Sequence, residues 1–149
     1  MKREIKCRAF DTKYGKMYYS HGDNPRVNCF HGSWEIDLEG DNGDTVGTVE
    51  CDDKTYPLMQ YTGLKDKNGV EIYEGDIIDF IFWMYHEHES ETHYIGKIDI
   101  DETLQASTFI FHQDGNSCFY ALYELTFDSE SDIEVIGNIY ENPELVEGT

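Results

Sequence analysis

A chain of 149 residues with 31 acidic and 11 basic side chains carries a formal net charge of −20, which bounds it to one compact domain or two small lobes. Its 39% hydrophobic and 14% aromatic content suffices for a buried core, because each aromatic ring brings roughly 150–250 Å² of surface. A pI near 4.3 argues against direct binding to a nucleic-acid backbone or an anionic membrane, where affinity comes from Lys and Arg displacing counterions.

Turn chemistry orders the chain. Glycine follows a residue that tolerates positive φ at Tyr14-Gly15, Asn42-Gly43, Asn68-Gly69 and Asp114-Gly115, and each site predicts a hairpin. The first joins EIKCRAF to KMYYS, the second WEIDL to TVGTVE, the third LMQYTGL to EIYEGDIIDFIFWMY, and the fourth STFIF to SCFYALYELTF. Residues 20–55 otherwise read as a polar, Gly- and Asp-rich stretch, and residues 86–103 as an acidic insertion. In Ile77–Tyr85, alternation places Ile78, Phe80, Phe82 and Met84 on one face and Ile77, Ile81, Trp83 and Tyr85 on the other, with Asp79 as the polar exception. Both faces of that strand must be covered, by the N-terminal lobe or by another subunit. A short helical turn is expected at Asn142–Val146, where Pro143 suits a first helical position. No window keeps an apolar stripe of helical period with caps, so the chain is mainly β.

Charge is distributed unevenly. Residues 1–67 hold 10 basic and 12 acidic side chains, whereas residues 68–149 hold Lys97 alone against 19 acids. The second half is an acidic body. Lys2, Arg3, Lys6, Arg8, Lys13 and Lys16 form a basic arm that faces only Glu4 and Asp11, suited to lie on the acidic body of its own or a neighbouring chain. Cys7, Cys29, Cys51 and Cys118 show no C-x-x-C spacing and read as free thiols. MKREIKCRAFD lacks the apolar segment of a signal peptide, so a reducing cytoplasm is the expected location.

Chemistry-bearing motifs are sparse. His86 and His88 form an H-x-H pair that His93 or a carboxylate could complete as a metal site and, from it, a metal-dependent hydrolase; a solvated hairpin end is the ordinary reading. His21, His31 and His112 are isolated. Asp37, Glu39, Asp41 and Asp44 cluster as in a calcium loop, but the turn glycine is misplaced in either register, which favours a hairpin with an acidic tip. The signatures G-x-S-x-G, G-x-x-x-x-G-K-[ST], H-E-x-x-H and G-x-G-x-x-G are missing. The expectation is a non-enzyme with no cofactor.

Three blocks, read together, carry a resemblance: REIKCRAFD with Lys16-Met17-Tyr18-Tyr19, then LMQYTGLKDKNGVEIYEGDII, then IEVIGNIYENPEL. In order and spacing the chain resembles the YopX family of small phage and prophage proteins, departing at Cys7, where an aromatic is usual, and at Phe10, commonly Trp. The resemblance implies an SH3-like β-barrel in the C-terminal part, with an N-terminal β-hairpin lobe packed against it. That places residues 1–55 in the lobe and 56–149 in the barrel, as one structural unit. It implies no catalytic residues, and structural roles for the motif positions Arg8, Asp11, Tyr61, Thr62, Gly63, Tyr73, Gly75, Asp76, Gly137 and Asn138. The resulting expectation is a phage-derived accessory protein that binds a protein partner through its acidic surface. The alternatives are a self-assembling homo-oligomeric ring and a nucleic-acid mimic.

Overall fold

The computed structural model describes residues 5–30, 33–81, 93–100, 106–111, 117–122 and 132–147. It is mainly β, as the turn pattern implied, with several antiparallel sheets of which one curls into a half-barrel. The chain divides into two units, Met1–Tyr61 and Thr62–Thr149.

In the first unit, β1 (Cys7–Asp11) pairs with β2 (Lys16–Tyr19) through the Tyr14-Gly15 turn. Gly15 has φ 66°, the left-handed region where a side chain is strained. The other edge of β1 pairs with the start of β6 (Leu58–Lys65), Ala9 opposite Leu58. A separate three-stranded sheet follows the order β3 (Val27–Phe30), β4 (Ser33–Glu39), β5 (Thr45–Glu50). Alternation along β4 puts Trp34, Ile36 and Leu38 on one face and Glu35, Asp37 and Glu39 on the other. The apolar face joins a core of Ala9, Tyr18, Val27 and Ile36, against which Val49, Cys51, Tyr56 and Leu58 also pack.

In the second unit, the end of β6 leads through the Asn68-Gly69 turn into β7 (Glu71–Tyr73). A five-stranded antiparallel sheet then runs β11 (Ser117–Ala121), β10 (Ala106–Phe111), β9 (His93–Ile100), β8 (Asp76–Ile81), β12 (Glu134–Asn138). Its core is Ile72, Ile78, Phe80, Ile98, Leu122 and Ile133, with Leu64, Tyr94 and Val135 alongside. Ile77 and Ile81, on the opposite face of β8, are buried as well, so both faces of this strand are covered, as its composition demanded. Phe82 to Tyr85 lie outside the described residues.

Three expectations need correction. The segment from Glu71 to Ile81 is two strands: Glu74-Gly75 turns the chain, with Gly75 at φ 79°. Residues 93–100, read as part of an acidic insertion, form β9, a central strand between β8 and β10. Its polar side chains Lys97 and Asp99 hid an ordinary alternation whose other face carries Tyr94 and buried Ile98. The polar stretch from residue 20 contains β3, too short for periodicity to expose. The C-terminal helix, α1 (Glu144–Glu147), begins after Pro143, whose carbonyl accepts from the amides of Val146 and Glu147 at 3.2 Å.

Candidate functional site

Among the motif positions, Asp11, Thr62, Asp76 and Asn138 hold backbone through their side chains, and Gly63 and Gly75 take positive φ. Asp11 is 1% exposed, and its Oδ1 accepts from the amides of Lys13 and Tyr14, both at 2.9 Å, fastening the β1–β2 turn. Arg8 is buried on the same strand, opposite Met59 and Tyr19. Tyr61 closes the first unit, its ring centroid 5.7 Å from Lys6 Nζ and its amide donating to the Lys6 carbonyl.

In the second unit, Thr62 Oγ1 donates to the Ile72 carbonyl at 2.8 Å and accepts from the Leu64 amide; Gly63 between them has φ 89°. Tyr73 is buried, its hydroxyl donating to Glu71 and its amide to Asp76 Oδ2 at 2.8 Å. The Gly75 amide donates to Ile98 and its carbonyl accepts from Ile139. Asn138 Oδ1 accepts from the amides of Tyr140 and Glu141. Gly137 leaves no room for a side chain, since a Cβ there would lie 2.6 Å from Asn142 Oδ1. These are the patterns by which short polar side chains stabilise turns.

Sequence reading missed the residue that joins the two later blocks. Asp66 Oδ1 accepts from the amides of Asn68 and Val70, and Oδ2 from the Val135 amide at 3.0 Å, 69 residues away. Next to it, Lys67 Nζ lies 3.0 Å from Glu134 and 3.6 Å from Asp132; the hydrogen bond to Glu134 holds the ammonium pKa above its ordinary value. An Asp two residues before Asn-Gly was the available signal, pointing to an Asx-type turn. Arg26 was also unmarked: it is buried, donating Nη1 to Thr45 Oγ1 at 3.0 Å and Nη2 to the Gly43 carbonyl, which clamps the β4–β5 turn.

Among the histidines singled out for metal, His93 stands on β9 with Nδ1 2.7 Å from Asp79 Oδ1. Asp79 lies directly opposite Glu134 on β12. His86 and His88 lie outside the described residues. Among the described residues no group of three His, Cys, Asp or Glu side chains is placed to hold a metal ion.

The acidic segment that invited a calcium reading is the β4–β5 hairpin, turned at Gly43 with φ 81°. Asp37 is used locally, accepting from Asn28 Nδ2 and Thr48 Oγ1. Glu39 pairs with Lys16 and stands 3.9 Å from Arg26. The Lys16 hydrogen bond, and then its charge, holds the Glu39 carboxyl below its ordinary pKa; the amides of Thr55 and Lys54 do the same for Asp52. A carboxyl depressed in the folded state stabilises above its unfolded pKa of about 4 and loses that contribution as pH falls through the depressed value. Glu35 and Glu50 are direct cross-strand partners, a like-charge juxtaposition that costs stability.

Cys51 packs beneath that pair, and burial, followed by Asp52, Glu50 and Glu35, pushes its thiol pKa up to about 11. Since the thiolate is the reactive form, iodoacetamide at pH 8 is expected to label exposed Cys29 at least about tenfold faster than Cys51. Peptide mapping by mass spectrometry over time checks this; equal rates would contradict the buried, acid-flanked setting.

No helix among the described residues is long and apolar enough to cross a membrane. No curated protein matches the chain. The crystal structure of protein EF1440 from Enterococcus faecalis is similar to it at 26% identity and a TM-score of 0.52, covering 97% of this chain and 99% of that one. The YopX protein family model matches residues 6–147, and neither name states an activity. The match takes in the first block from Lys6 onward and the two later blocks whole, and the chain therefore belongs to the YopX family.

Proposed function

We propose that this protein is a phage-derived, non-enzymatic accessory protein that acts by binding a basic protein partner through its acidic surface. The observation that carries this reading is the assignment of the motif side chains. Asp11, Thr62, Asp76 and Asn138, and with them Asp66 in the middle block, are engaged with backbone amides or carbonyls, so the family blocks serve as scaffold and leave recognition to the surface. On the second unit, Lys67 and Lys97 are already paired with Glu134 and Asp99. Asp132, Glu141, Glu144 and Glu147 are exposed. Such a surface accelerates encounter with a cationic partner and loses that advantage as salt rises.

Affinity capture from a nuclease-treated bacterial lysate at low and moderate salt tests this. A stoichiometric basic protein released by salt is the expected result. Recovery of the protein alone would contradict it and favour self-assembly.

A further inference from the structure

β5 ends the three-stranded sheet, with β4 on one side and, among the described residues, no strand on the other. The Cys51 amide donates to the Trp34 carbonyl at 2.8 Å, so by alternation the amides of Thr48 and Glu50 point away from β4, toward the open edge. Thr45, Val46, Thr48 and Glu50 are exposed, Val46 by 65%. Natural proteins blunt such edges with lysine, proline or a short strand. The edge strand β2 begins at Lys16 and β7 spans 3 residues, but the interior of β5, Val46 to Val49, carries no charge and no proline.

The rows of the sheet that end at this edge state what belongs beside them. One row runs Asn28, Glu35, Glu50, and the next on the same face contains Asp37 and Thr48. No ion pair or hydrogen bond reaches the carboxylates of Glu35 and Glu50 among the described residues. A cation at the next position of that row would relieve their repulsion. The row between them, Val27, Ile36, Val49, lies on the apolar face and calls for an apolar side chain. An added strand therefore reads basic, apolar, basic, apolar.

We infer that β5 is a strand-addition site for an extended protein segment with alternating basic and apolar residues, its backbone pairing with the amides of Thr48 and Glu50, one cation meeting Glu50 with Glu35 behind it in the same row, and the next lying in the row of Thr48 and Asp37. This is β-augmentation, in which main-chain hydrogen bonds give affinity and alternate side chains give specificity. It rests on the acidic-surface reading but assigns it a different place from the second unit.

The test titrates the full-length protein with a short synthetic peptide alternating lysine and valine, followed by amide NMR and fluorescence anisotropy. Expected are shifts and slowed exchange at Thr48 and Glu50, and affinity at least about tenfold above that of a peptide of the same composition with its lysines in one block. Glu50→Lys is expected to weaken binding by about tenfold or more while leaving the melting temperature unchanged or raised, because it places an opposite charge across from Glu35. Equal affinity for the two peptides, unperturbed β5 amides, or full binding by E50K would each overturn the proposal. So would protection of Thr48 and Glu50 that rises with protein concentration in the absence of peptide, which would make the occupant a second copy. These outcomes leave the lysate capture unaffected, since loss of the edge site does not remove a partner held by the second unit.

Discussion

Phe80→Ala is expected to lower the stability of the second unit by about 4 kcal/mol, the usual size for a buried phenylalanine truncation that leaves a cavity. Phe80 is fully buried on β8 in a core with Ile72, Ile78, Ile98, Leu122 and Ile133. Its ring centroid is 5.9 Å from that of Tyr94 at an interplanar angle of 32°. Those neighbours come from β7, β8, β9 and the segments just after β11 and just before β12, so several separately anchored segments would have to shift for the site to fill the void. Phe80→Leu retains most of the apolar volume and is expected to cost less than about 2 kcal/mol. Urea unfolding followed by far-ultraviolet circular dichroism measures both; equal and small losses would place Phe80 outside the core.

Asp66→Ala is expected to cost about 3 kcal/mol through a different mechanism. The carboxylate accepts three backbone hydrogen bonds, two within its own turn and one from Val135 on the far side of the chain. Hydrogen bonds to a charged group contribute about 1.5–3 kcal/mol, and amides left without an acceptor carry a desolvation penalty. Asp66→Asn separates the two functions. An amide oxygen still accepts from Asn68 and Val70, but the NH2 that replaces Oδ2 faces the Val135 amide. The Asn variant is therefore expected to lie between wild type and Ala in stability, and to lose hydrogen-exchange protection at Val135 selectively. Unchanged protection there would show that the long-range bond is not what anchors the turn to β12.

These two residues show what was legible in the sequence. Phe80 stands in an alternating apolar run, and a period of two places its burial without any knowledge of its neighbours. Asp66 belongs to a polar turn signal that foretells the turn but not Val135, because the second partner depends on how β12 returns to the sheet. The same division holds for the strands. The Tyr14-Gly15, Asn42-Gly43 and Asn68-Gly69 turns mark hairpins, since positive φ is a local property. β9 was obscured because Lys97 and Asp99 share a face with Ile95, so composition looked like an insertion while the other face was core. Arg26 could not be recognised locally, as its acceptors at Gly43 and Thr45 lie 17 and 19 residues away. The site residues followed the same rule: the resemblance located the motif positions, and the structure supplied their partners.

If the family blocks are scaffold and the acidic surface does the recognition, lysate capture by wild type and by a charge-neutralised variant must differ. Asp132→Asn, Glu144→Gln and Glu147→Gln change exposed side chains on the second unit without touching the backbone-holding residues of the family blocks. The variant is expected to keep its circular dichroism spectrum and to lose most of the basic partner recovered by wild type at low salt. Recovery of the same partner at the same stoichiometry, with the fold intact, would contradict that assignment of roles.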